Sequence, residues 1–76
     1  MTTLADLHRG ETARIVEVNA GVPVKQRLFD FGLRDGEEVT IVRSAPLSDP
    51  IELKLSGGYI SLRKSEAIQV LVSRIK

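Results

Sequence analysis

His8 is the only imidazole in this chain of 76 residues, and there is no cysteine, so any side-chain chemistry falls mainly to carboxylates, hydroxyls and basic groups. A durable divalent-metal site brings several imidazole, thiolate or carboxylate ligands to one point. His8 with Glu11 is one start, but Asp30, Asp35, Glu37, Glu38 and Asp49 are scattered without ligand spacing. They read as solvated acids, and no metal or cofactor ligand is assigned. Neither a glycine-rich phosphate loop nor a nucleophile with a matched base can be assembled, so no catalytic residue is assigned either. The sharper signal is recognition chemistry. Phe29 and Leu47, with Lys25, Gln26 and Arg34 around them, make an apolar patch with a polar rim, the composition of a partner-docking surface. The competing reading is that residues 44–50 fold over Phe29 with Leu47 as a lid.

Phe29 belongs to the stretch that organises the chain, residues 21–36, GVPVKQRLFDFGLRDG. Val24, Leu28 and Phe31 fall at i, i+4 and i+7, which predicts a helix over 22–31, about ten residues and roughly 15 Å long, with those three on its core stripe. Lys25, Gln26 and Phe29 then project from the other side. Pro23 suits the first turn, and Gly32 suits a left-handed stop that folds Leu33 back onto Leu28. So short a helix is not stable alone in water and must be held by strands.

The strands are visible in the rest of the sequence. Thr3 to Asp6 resembles a weak capping box, giving one helical turn with Leu4 and Leu7 plugging the core. Residues 12–18, TARIVEV, alternate at Ala13 and Ile15 and then change phase at Val16 and Val18, which predicts a bulge or a doubly buried strand. Residues 38–43 place Val39 and Ile41 on one face, and Ile51, Leu53 and Leu55 alternate with Glu52 and Lys54. Gly57-Gly58 closes a hairpin onto 59–63, with Ile60 and Leu62 inward. Lys64 to Ala67 forms a short turn, Ile68, Val70 and Val72 make a last strand, and residues 73–76 fray. Two prolines make 44–50 a loop. The expected fold is mainly β: a single domain over 1–76, an SH3-like barrel of about five strands with one short helix inserted after the first strand.

Composition narrows the function. Net charge is +1, with 11 basic and 10 acidic residues interspersed, which leaves nucleic-acid binding unsupported. Three aromatics, Phe29, Phe31 and Tyr59, are too few for a base-stacking or proline-reading surface. No apolar run approaches about 18 residues and no leader is visible, so no membrane insertion is expected and the location expected is cytoplasmic. A barrel edge near Leu71 is expected to be free to pair weakly with a second copy.

Several motifs together resemble the FeoA family. They are Leu7 to Gly10, Ala13 to Val18, Lys25-Gln26-Arg27-Leu28 running into Phe31-Gly32-Leu33 and Gly36, Ala45-Pro46-Leu47 with Asp49-Pro50-Ile51, and Leu62-Arg63-Lys64-Ser65-Glu66-Ala67 before a valine-rich strand. The likeness spans nearly the whole chain and departs at Ser48, where the family often has glycine. It implies a non-enzymatic cytoplasmic accessory of bacterial ferrous iron uptake that interacts with the FeoB permease, through its GTP-binding domain or its membrane part, and modulates Fe²⁺ transport. The alternative is an SH3-like regulatory domain related to the C-terminal domain of metal-dependent repressors of the diphtheria-toxin-repressor type. Direct iron binding finds no ligand set in the residues.

Overall fold

A computed structural model describes residues 2–43 and 49–75; Leu47 and most of the predicted loop lie outside the described residues. Six strands form one antiparallel sheet: β1 (Thr2–Thr3), β2 (Thr12–Val18), β3 (Glu38–Arg43), β4 (Ile51–Leu55), β5 (Gly58–Leu62) and β6 (Val70–Ile75), in the order β1-β6-β2-β3-β4-β5. A flat sheet of six strands would be broad and thin, whereas this chain measures 28 × 26 × 25 Å. The sheet therefore curls around its own core as an SH3-like half-barrel, with β1 and β5 as its two edges.

The core is aliphatic. Ala13, Ile15, Val39, Ile41, Ile51, Leu53, Leu55, Leu62, Val70 and Val72 point inward from the strands, and Leu4 and Leu7 close one end. Leu4 lies in a short 3-10 turn, Leu4–Asp6, whose start is fixed by the Thr3 N–H donating to the Asp6 carboxylate at 2.9 Å. The phase change in β2 is a bulge: register with β6 shifts between Ile15 and Glu17, leaving Val16 exposed while Ile15 and Val18 both stay buried. The β4–β5 turn is Ser56-Gly57, one residue earlier than the expected Gly57-Gly58, because Gly58 already pairs with Leu55.

Two expectations about the last strand are corrected. Residues 73–75 do not fray, since β6 runs to Ile75 and pairs along β2 as far as Thr12. Ile68 is not in that strand; it caps a short helix, α2 (Lys64–Ala67), and is exposed. The edge expected near Leu71 is also absent, because Leu71 lies opposite Thr3 of β1 and Glu17 of β2.

The end of β6 is pinned to the N-terminal segment through Glu11. Its carboxylate accepts the His8 backbone N–H at 2.6 Å and the Arg74 Nε at 3.0 Å, while Arg74 also donates to the Asp6 carbonyl at 3.2 Å. The His8 N–H above all, and Arg74 after it, hold the Glu11 carboxyl below the usual glutamate range despite a desolvation that pushes it up. A carboxyl whose folded-state pKa is depressed stabilises the fold above its unfolded pKa and loses that contribution as pH falls through the folded pKa. Melting temperature should therefore drop as pH is lowered through the acidic carboxylate range, and Glu11→Gln should flatten part of that drop. Superimposable pH profiles for the two proteins would remove Glu11 from the linkage.

Candidate partner-docking groove

The inserted helix, α1 (Val22–Asp30), has Pro23 in its first turn and closes on a Schellman motif. Leu33 N–H donates to the Leu28 carbonyl and Gly32 N–H to the Phe29 carbonyl, both at 2.9 Å. Gly32, at φ +101°, takes the left-handed backbone that this motif requires. Leu28 and Leu33 are both fully buried, so the cap tucks its own apolar pair under the sheet.

That cap overturns one residue of the predicted stripe. Phe31 is 47% exposed, not core. The helix ends at Asp30, one residue short of the expected range, and Phe31 serves as its C-cap, so the helical period no longer governs where its ring points. Leu33, brought back by Gly32, takes the core position that the period assigned to Phe31. Phe29, read as lying away from the core, is half-buried and packs against the core cluster with Val24. The Lys25 ammonium lies 5.6 Å from the Phe29 ring centroid, within cation–π range, and the exposed Gln26 donates to Asp30 at 3.0 Å. Arg27 reaches outward to an ion pair with Glu66, which ties α1 to α2. Glu66 also accepts the Arg63 backbone N–H at 3.1 Å, fixing the start of α2.

The exposed ring of Phe31 lines a groove of about 360 Å³ between the end of α1 and the β4–β5 hairpin. Phe31, Gly32 and Arg34 form one wall; Leu55, Tyr59 and Ile60 form the other; Asp30 and Glu37 supply carboxylates at the rim. Tyr59 is 67% exposed, so two of the three aromatics of the chain meet at this open surface. Of the five residues assigned to partner docking from sequence, Lys25 and Phe29 stack together, Gln26 is on the exposed helix surface beside them, and Arg34 joins the groove. Leu47 lies outside the described residues. Sequence reasoning missed Phe31 and Tyr59. The signal that could have found Phe31 was its adjacency to Gly32, since a residue just before a helix-ending glycine leaves the helical period.

Among the described residues, no group of three or more histidine and acidic side chains comes together to hold a metal ion. The His8 side chain is 83% exposed, and its Nδ1 lies 3.3 Å from the Glu11 carboxylate. No helix among the described residues is long and apolar enough to cross a membrane. The geometry offers apolar contact with charged rims, which is recognition chemistry.

A curled antiparallel sheet with one inserted helix defines a small SH3-like domain. Residues 2–74 match the family model described as the FeoA domain, and the chain belongs to that family. It is 33% identical over 72 residues to an Fe(2+) transport protein A/Fe(2+) transporter FeoB fusion protein of Porphyromonas gingivalis, covering 95% of this chain and 8% of the fusion's length. The solution structure of FeoA from Chlorobium tepidum superposes at a TM-score of 0.90 and 35% identity, over 99% of this chain and 71% of that one. Stenotrophomonas maltophilia FeoA, solved in complex with zinc and described as a prokaryotic SH3 domain protein, matches at a TM-score of 0.85 and 30% identity, over 96% of this chain and 91% of that one.

Proposed function

We propose that this chain is a non-enzymatic accessory of ferrous iron uptake, working at the cytoplasmic face of the membrane by docking on a FeoB-type permease and modulating Fe²⁺ transport. The observation that carries this reading is the fusion in Porphyromonas gingivalis, in which a domain 33% identical to this one shares a polypeptide with the transporter. Tethering raises the effective concentration of one module beside the other to the millimolar range for a short flexible linker. A fused arrangement therefore supports function through contact. The family match over residues 2–74 favours this reading over a repressor-type regulatory domain.

The docking surface proposed is the outer side of α1 with the adjoining groove. Lys25 and Gln26 offer polar contacts, the open part of Phe29 and the ring of Phe31 offer apolar ones, and Arg34 offers a guanidinium. The test is binding of the purified chain to the isolated GTP-binding domain of the permease and to the whole permease in lipid nanodiscs. Saturable binding to either is expected, and the arm that binds identifies the docking part. Absence of binding to both at submillimolar concentration overturns the reading.

A further inference from the structure

We infer that this protein associates with a second copy of itself through β5, edge to edge and antiparallel, so that two half-barrels share one continuous sheet. The two sheet edges differ. β1 is a two-residue strand, too short to template another, whereas β5 offers five residues, GYISL, with no proline and no charged side chain. Natural sheet edges are ordinarily blunted by charge, proline, a bulge or shortness. Among the described residues, β5 carries none of the four, and no strand lies beyond it.

The hairpin fixes which backbone groups face outward. In a two-residue hairpin the flanking pair, Leu55 and Gly58, exchanges both hydrogen bonds, and such pairs then alternate along the ladder. Leu53 with Ile60 and Ile51 with Leu62 are therefore bonded pairs, while Lys54 with Tyr59 and Glu52 with Ser61 are not. Consequently the N–H and C=O of Tyr59 and Ser61 point away from β4, and both residues are exposed.

These two residues are self-complementary in one register. With Ile60 opposite Ile60 of the second copy, each Tyr59 faces a Ser61, so both outward pairs bond and four new N–H···O=C bonds close. The cross-sheet rows then read Lys54, Tyr59, Ser61, Glu52, with a cation at one end and a carboxylate at the other. Centring on Tyr59 instead gives rows that begin and end in Lys54, and centring on Ser61 gives rows that begin and end in Glu52. Charge selects the Ile60 register from among the three. The complement to this edge is thus written in the edge itself, which favours a second copy over an unrelated strand.

The test needs only the purified chain and is independent of the permease reading. Sedimentation from micromolar to millimolar concentration should show a reversible shift from monomer to dimer mass, and amide exchange at Tyr59 and Ser61 should slow by about tenfold or more as the dimer forms. Ser61→Pro removes an outward N–H that the intramolecular ladder does not use, so it should hold the protein monomeric with an unchanged circular dichroism spectrum. Should that variant fail to fold, the wild-type amide exchange decides alone. A monomer at every concentration, or a dimer in which Tyr59 and Ser61 exchange as fast as in the monomer, overturns the inference.

Discussion

Leu28→Ala should lower stability by about 2–5 kcal/mol, the range for truncating a well-packed leucine. Leu28 is the one fully buried residue of α1 and also the residue whose carbonyl accepts the Leu33 N–H, so helix and cap share a single anchor. Val24 and Phe29 are only partly buried and cannot replace that contact. A domain of this size has roughly 4–11 kcal/mol of stability to lose, at 0.05–0.15 kcal/mol per residue. The substitution thus consumes a large share of the total. For a chain of 60–100 residues, about 4–8 °C of melting temperature goes with each kcal/mol, so a fall of at least about 8 °C is expected. Leu28→Met keeps the volume and should cost less than about 1.5 kcal/mol. If chemical denaturation finds Leu28→Ala within about 1 kcal/mol of the wild type, the helix is held by something other than its buried leucine.

That anchor was legible in the sequence, as were the glycine stop and the alternating core of β4, and the bulge in β2 was one of the two readings that its change of phase allowed. Each depends on a local rule: helical period, left-handed glycine, period-two alternation, or a break in that alternation. What was not legible depends on partners far along the chain. β1 is two residues long and exists because β6 offers it an edge, and β6 extends to Ile75 because Thr12 lies opposite. No window of local sequence contains either fact. The patch was half legible for the same reason. The helical period assigned the two phenylalanines to faces as though the helix ran on through Phe31, and it could not place Tyr59, which reaches the groove through the β4–β5 register.

The exchanged roles of the two phenylalanines can be separated by experiment. Phe31→Ala should weaken binding to the permease by about 30-fold or more, the ~2 kcal/mol of an aromatic hot spot, while leaving the melting temperature nearly unchanged. The ring is 47% exposed and lies at the helix cap, outside the core cluster, so its truncation opens no core cavity. Phe29→Ala should do the reverse in the larger part: its ring packs on the core, and its loss should register first as lowered stability. The Lys25 contact gives that ring a second, weaker role at the surface. Comparing the two variants by binding titration and by thermal melting therefore distinguishes an anchor for a partner from an anchor for the fold. If Phe31→Ala binds as tightly as the wild type while Phe29→Ala loses binding with its melting temperature intact, the docking surface lies on the outer face of α1 and the groove is not part of it.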